Sequence, residues 1–241
     1  LSFYKSVMLY YNKISWVVLF MWIANFKNFS WRAVPILMSF FLLMTTPKVL
    51  AHPHSFIDMQ TTFNTQDDKL IGLTFSWVMD PITSMDILYD IYNAQPESDI
   101  WKKQAARLMS NILSQNYFSE FYMDGKKQKF RRIPSHYTLI KEKLQVKFSF
   151  DVLFITPLPF AKHHFELLTY DPTFYVSMTY RDNTQIIWPL EMIADCKHKL
   201  IEPFADESLK EYAQSLDING STDSDLNLGL SFTQRVQVLC Q

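Results

Sequence analysis

The string His52-Pro53-His54 is the part of this sequence best suited to chemistry. It follows Val49-Leu50-Ala51, which has the form of a signal-peptidase cleavage site. A cut after Ala51 would leave a free amine and two imidazoles within the first three residues. Three nitrogen donors suit copper, nickel or zinc better than calcium or magnesium. The sequence therefore predicts a site for one transition metal ion at the start of the mature chain.

Pro53 restricts how such a site could be built. Amino-terminal copper and nickel sites with a histidine at the third position use the amide nitrogen of the second residue, and proline has no amide proton to lose. His52 would then bind through its amine and ring, and His54 through a second ring. In an extended segment the two rings lie on the same side. The alternative is that the string only begins an edge strand.

Three other residues are further candidates for the metal. Asp171 lies in the string at 169–176 (TYDPTFYV), where its carboxylate could bind a metal or cap its own Asp-Pro turn. His163 and His164 are adjacent, so on a strand they would point to opposite faces and at most one would face a given site. Loop positions on the surface are the alternative for both histidines.

Residues 1–51 are typical of a secretion leader, with five basic residues and no acidic residue. Their apolar blocks, 14–24 and 33–44, are each shorter than the roughly 20 residues that cross a bilayer as a helix. The second block has the layout of a signal peptide, and a natural start at Met21 would give a leader of ordinary length. We expect a periplasmic protein after cleavage near Ala51. An uncleaved amino-terminal membrane anchor is the alternative.

Loss of the leader changes the charge of the chain. The whole chain has 23 basic and 24 acidic residues, and five basic residues leave with the leader, so residues 52–241 keep 18 against 24. This acidic balance does not favour nucleic-acid binding, which needs a basic face. The remaining length of about 190 residues suits one mature domain, 52–241, with its own core.

Both cysteines, Cys196 and Cys240, lie in the mature part. An even number of cysteines in an exported chain favours a disulfide, which would tie the carboxyl terminus to the body of the domain. A disulfide that closes the loop between positions 196 and 240 would stabilise the folded state by roughly 4 kcal/mol in the chain-entropy model. Two unpaired thiols are the alternative.

Hydrophobic periodicity predicts an α+β fold, an antiparallel β-rich, sandwich-like core with an inserted pair of helices. The strands 52–64 and 70–79 should form a hairpin, and the helices are expected at 82–92 and 99–115. Further strands are expected at 117–123, 127–132, 144–155, 164–169, 174–180, 185–190 and 197–201. A short helix at 205–216, a polar loop at 217–225 and a last strand ending at Cys240 complete the chain.

A set of short strings occurs along the chain in a recognisable order. They are His52-Pro53-His54, Phe56-Ile57-Asp58, Phe75-Ser76-Trp77, Asp124-Gly125-Lys126, Tyr170–Val176, Cys196, and Leu228-Gly229 through Cys240. In these strings the chain resembles a bacterial family of periplasmic proteins of unknown function, catalogued as the periplasmic component of an uncharacterised ABC-type transport system. Genes of this family often neighbour nickel/cobalt efflux permeases. The resemblance implies a periplasmic location, cobalt as a further candidate metal, and a membrane permease of a metal transport system as partner.

Many members of that family carry an acidic, calcium-type loop between the two helices. Residues 93–99 (NAQPESD) lack the glycine and the spaced carboxylates of such a loop, so we expect no calcium site.

Two functions follow from these features. The first is a metal-binding accessory of a nickel/cobalt-type transporter, and the second is an envelope adaptor that docks a permease without metal. The sequence contains no nucleophile elbow or HExxH motif, so we expect no enzymatic activity. A copper enzyme built on His52 is the alternative to that expectation.

Overall fold

The computed structural model describes residues 53–193, 195–215 and 228–241. The predicted leader, the possible start at Met21, residue His52 and the polar loop at 217–225 lie outside the described residues. Leu50–Gln241 form one compact unit.

The described residues form strands and helices in the following order. The strands are β1 (Ser55–Gln66), β2 (Lys69–Met79), β3 (Ser119–Met123), β4 (Lys126–Gln128), β5 (His136–Glu142), β6 (Gln145–Pro159), β7 (His164–Thr169), β8 (Val176–Thr179), β9 (Ile186–Ile187), β10 (Cys196–Ile201) and β11 (Arg235–Cys240). The α-helices are α1 (Pro81–Ile91), α2 (Asp99–Ser114), α3 (Leu190–Ile193), α4 (Glu207–Ser215) and α5 (Leu228–Ser231).

The strands form two sheets. The first has the order β5-β6-β2-β1-β8, with β9 also paired to β1, and the second has the order β10-β11-β7-β3-β4. All pairs are antiparallel except those of β1 with β8 and β9, which are parallel. The first strand of the domain is therefore an interior strand with a partner on each side.

An aromatic core joins the two sheets face to face. Inward and outward residues alternate along most of β1, β2 and β6, as in a half-buried strand, with breaks at a register shift near Gly72 and after Phe154. Phe121 from the second sheet lies with its ring centroid 4.7 Å from that of Phe154 and 6.3 Å from that of Phe63, both in the first sheet. The predicted sandwich-like core is confirmed by these contacts.

The two helices inserted between β2 and β3 are also confirmed. Pro81 occupies the first turn of α1, where its missing N–H costs nothing, and Asp80 caps that turn. The buried side of α1 includes Ser84 and Ile87, while α2 buries Trp101 and Met109 against the same core. α1 packs on β6 and α2 on β5, so the pair covers part of the first sheet.

Buried hydroxyl groups connect the sheets at a second place. The Tyr180 hydroxyl lies 2.7 Å from that of Thr61 in β1 and also hydrogen-bonds Thr169 in β7. Thr169 in turn lies 3.1 Å from Ser119 in β3. Burial raises the pKa of Tyr180 to about 12, so this hydroxyl stays neutral and can both donate and accept.

Several predicted boundaries differ from the structure. The expected strand at 127–132 ends at Gln128, and only a single bridge from Phe130 to Phe154 continues it. The strand β5 was missed, because it is an edge strand with one buried residue and shows little alternation. Of the strand expected at 185–190, only the two residues of β9 form a strand. Pro189 has no N–H to donate to a neighbouring strand, and the helix α3 follows it.

The disulfide between Cys196 and Cys240 is confirmed. These residues are direct partners in the β10–β11 pair, with Cα atoms 4.0 Å apart and sulfur atoms 1.97 Å apart. The bond holds edge strand β10 to the penultimate residue of the chain and closes a sequence separation of 44 residues.

Replacing both cysteines with alanine should lower the free energy of unfolding by about 2–4 kcal/mol, because the unfolded chain regains the entropy of an open loop. Urea denaturation measures this loss. A reducing agent should lower the midpoint for the natural protein and leave that of the double variant unchanged. Equal stability of the two proteins under oxidising conditions would contradict a structural role for the bond.

Candidate metal site at the start of the first strand

His54 is held at the entry to β1 by main-chain pairing. Its N–H donates to the carbonyl of Tyr175 at 2.9 Å, and the parallel pairing of β1 with β8 begins one residue later, at Ser55 and Val176. The residue that carries the candidate ligand is thus fixed to the sheet on which the domain is built.

The side chain of His54 is exposed and faces away from the core. Its ring lies 4.6 Å from the ring of Tyr175, at an interplanar angle of 31°. Phe56 and Asp58 share this outer face, since alternate residues of a strand point to the same side. Asp58 is already engaged, because it forms an ion pair with Arg181 at 2.9 Å and accepts from Gln185 at 2.6 Å.

Asp80 fixes the other side of this strand entry. One carboxylate oxygen accepts from the N–H groups of Ile82 and Thr83 at 2.8 and 3.1 Å, which caps α1. The other accepts from the Thr83 hydroxyl at 2.6 Å and from the Phe56 N–H at 3.0 Å. Burial raises the pKa of Asp80, but the hydrogen bonds from Phe56 and Thr83 outweigh it and the net shift is downward.

The Asp171 turn (residues 171–176) lies beside His54, so the structure brings these two candidate ligands to one region. Asp171 is buried, and its carboxylate accepts from the N–H and hydroxyl of Thr173 at 3.0 and 2.9 Å and from the Val176 N–H at 3.0 Å. The carboxylate therefore caps its own turn. Direct binding of a metal by Asp171 stays a prediction.

A glycine lets the end of the chain approach this turn. A Cβ atom on Gly229 would lie 1.8 Å from the carbonyl oxygen of Asp171, so no larger residue fits there without a backbone shift. The Gly229 N–H donates to the carbonyl of Pro172 at 3.1 Å. The Asp171 turn is thereby held between β1 and α5.

His163 and His164 lie at the start of β7 in the second sheet, away from the β1 entry. The His163 Nδ1 atom is 2.6 Å from the Asp124 carboxylate, and the His164 N–H donates to the same group at 2.9 Å. Both hydrogen bonds lower the pKa of Asp124, and the one from the His164 N–H has the larger effect. Both histidines thus support the turn between β3 and β4.

A ready-made metal cluster does not occur in the described part of the chain, where no three His, Cys, Asp or Glu side chains lie close enough to hold an ion. His52 lies outside those residues. A metal at the β1 entry would therefore depend on donors that precede Pro53, as the sequence predicts. His54 is the described residue best placed to assist them, because its ring is exposed.

The sequence reading missed an exposed apolar stripe on α1. Its side chains recur at helical spacing and are 66–78% exposed, and Tyr89 stacks on Tyr92 with ring centroids 6.1 Å apart. The stripe begins beside the β1 entry, because the Asp80 N–H donates to the Phe56 carbonyl. Its spacing is visible in the sequence, but which face of the helix is buried is not. The members of the apolar stripe are Ile82, Met85 and Tyr89 of α1 and Tyr92, which caps the end of that helix.

The fold and this geometry define a disulfide-bonded α+β domain of two antiparallel-rich sheets whose first strand is interior. The chain belongs to the family described as "Protein of unknown function (DUF1007)", whose model matches residues 37–240. It is similar to an uncharacterized protein of Haemophilus influenzae, with 37% identity over 194 residues that cover 80% of this chain and 93% of that protein. The link to an ABC-type transport system and to nickel/cobalt permeases stays a prediction.

Location is addressed by two observations. The disulfide is consistent with an exported protein, since such bonds persist in oxidising compartments. In the ranges that the structure describes, no helix is both long and apolar enough to cross a bilayer. Cleavage near Ala51, and the alternative of an uncleaved anchor, concern residues outside those ranges.

Replacing Asp80 with alanine should lower the free energy of unfolding by about 1–2 kcal/mol, because it removes a helix cap together with the tie to β1. Since folding lowers the pKa of Asp80, its stabilisation is present above the unfolded pKa of about 4 and is lost as the pH falls through the folded value. Urea denaturation at decreasing pH should therefore show a smaller acid-induced loss in the variant.

The matched control for this variant is Asp206→Ala, which removes the carboxylate that caps α4 through Leu209 and makes no tie to a strand. Its stability loss should be the smaller of the two. Equal losses for both variants would show that Asp80 acts only as a helix cap.

Proposed function

We propose that this protein is an exported, metal-binding accessory of a nickel/cobalt-type transport system and presents one transition metal ion at its amino terminus. The observation that carries the proposal is the main-chain bond at 2.9 Å from the His54 N–H to the Tyr175 carbonyl, which fixes His54 directly before the interior strand β1. A donor held in this way keeps its position better than a donor on a loop.

The proposed ligands are the free amine and ring of His52 together with the ring of His54. His54 supports this assignment through its exposed ring and its main-chain bond to Tyr175. Asp171 supports it by holding the turn that receives His54. Nickel, cobalt, copper and zinc all accept such nitrogen donors. The bound ion would be cargo for a transporter, and the proposed role involves no catalysis.

A second candidate function is an envelope adaptor that docks a membrane permease without binding metal. The apolar stripe on α1 favours it, because contiguous exposed apolar side chains are typical of interaction sites. The stripe and the β1 entry are neighbours, so one docked permease could cover both. The two candidates differ in whether the histidines are required.

The exported protein, purified from the periplasm and checked for its first residue by intact mass, should bind Ni(II), Cu(II) or Zn(II) in a calorimetric titration. Replacing His52 and His54 together with alanine should abolish that binding, because it removes both rings. The matched control is His136→Ala, which removes an exposed histidine on β5 and should bind like the natural protein.

Unchanged affinity after loss of both histidines would overturn the metal site. Copurification of a permease that survives loss of the histidines, but fails when Ile82 and Met85 are replaced with serine, would establish the adaptor instead.

A further inference from the structure

Five cations occur within seven residues, at 126–132, and all five side chains are exposed. We call this segment the basic strip. The rest of residues 52–241 carries 13 basic against 24 acidic residues, because five of the 18 basic residues lie in the strip. The strip thus opposes the charge of the surrounding domain. Its members are Lys126, Lys127, Lys129, Arg131 and Arg132.

The backbone of the basic strip is fixed between the two sheets. Its first residues form β4, which pairs with β3 in the second sheet. Its later residues run along β6 of the first sheet, where the Ile155 N–H donates to the Lys129 carbonyl at 3.0 Å and the Arg131 N–H donates to the Leu153 carbonyl at 2.8 Å. Phe130 is buried between these bonds and anchors the segment in the core.

Three of the cations share one outer face. Gln128 and Phe130 turn inward, so Lys127, Lys129 and Arg131 point outward together along about 13 Å of extended chain. Ile133 follows the strip and is 78% exposed. The surface is therefore a short row of positive charge with an apolar side chain at its end.

Most of this charge is free to meet a partner. Among the described residues, Lys127 alone of the five forms an ion pair, with Glu120. A shallow cleft of about 270 Å³ adjoins the row between Lys127, Lys129 and Thr156, and Ile155 at its wall is 56% exposed. Ammonium and hydroxyl groups around such a cleft are suited to a phosphate group.

We propose that the basic strip docks this domain onto a membrane surface rich in anionic phospholipid. Headgroup phosphates would lie along Lys129, Arg131 and the neighbouring unpaired cations of the strip, while Ile133 enters the boundary between headgroups and acyl chains. Nucleic acid fits less well, because the only ring within the strip, Phe130, is buried and offers no base a stacking surface. Docking by the strip is independent of metal binding at His54.

The test uses the domain expressed from His52 to Gln241, since Leu50–Gln241 form one compact unit. In a sedimentation assay it should bind phosphatidylcholine vesicles that contain phosphatidylglycerol and not vesicles of phosphatidylcholine alone. Binding should weaken steeply as salt is added, because exposed charges are screened.

Replacing Lys126, Lys129, Arg131 and Arg132 with glutamine keeps the Lys127–Glu120 pair and should weaken vesicle binding by at least about tenfold, since each cation near an anionic surface contributes about fivefold. The control variant, chosen for the same change in net charge at exposed lysines outside the strip, should bind like the natural domain. Its substitutions are Lys103→Gln, Lys141→Gln, Lys197→Gln and Lys199→Gln.

Absence of binding to the anionic vesicles would overturn the proposal, as would equal losses in the two quadruple variants. Binding to an oligonucleotide but not to vesicles would assign the strip to nucleic acid. Release from vesicles by inorganic phosphate, beyond the effect of chloride at matched ionic strength, would assign the cleft to a small anion. Matching thermal unfolding of both variants shows that they remain folded.

Discussion

The strand β1 is paired on both of its sides, and this pairing sets the positions of the elements around the candidate site. Its antiparallel partner β2 supplies one side, and the short strands β8 and β9 supply the other through parallel pairing. Parallel partners need a long crossover connection, and the chain between β1 and β8 contains α1, α2 and strands of both sheets. The first strand therefore depends on nearly the whole domain for its position.

Several polar contacts secure this central strand and the elements beside it. Asp80 joins the start of β1 to α1, and the Tyr180 hydroxyl joins the middle of β1 to the second sheet. The Asp171 turn holds β8 beside the strand entry, and Gly229 lets α5 pack against that turn. The disulfide then fastens the far edge of the second sheet. His54 is fixed directly before this strand by its main-chain bond to Tyr175, which leads into β8 of the first sheet.

The sequence predicted the elements that have a strong buried face and missed those that do not. The hairpin of β1 and β2 follows from alternation, and its turn suits Asp67 and Asp68, whose φ angles of 51° and 54° are tolerated by aspartate. The edge strand β5 has a single buried residue, so its pattern carries little information. The parallel pairing of β1 with β8 joins residues more than 100 positions apart, which no local pattern reports.

The types of the candidate ligands could be predicted from the sequence, but their positions in the fold could be predicted only in part. The types and spacing of His52 and His54 indicate nitrogen ligands, but the contact between His54 and Tyr175 depends on the parallel pairing. Asp171 could have been a ligand or a turn cap from its sequence alone, and its hydrogen bonds show the cap. The basic strip was overlooked because net charge was summed over the whole mature chain.

We propose that export creates a metal-binding amino terminus directly before the interior strand β1. Native mass spectrometry of the exported protein with one equivalent of Ni(II) can test this, since one spectrum reports the first residue, the disulfide and the bound metal. We expect a disulfide-bonded chain of residues 52–241 that carries one nickel ion. A chain that retains residues before His52, or a correctly cut chain that carries no metal, would overturn the proposal.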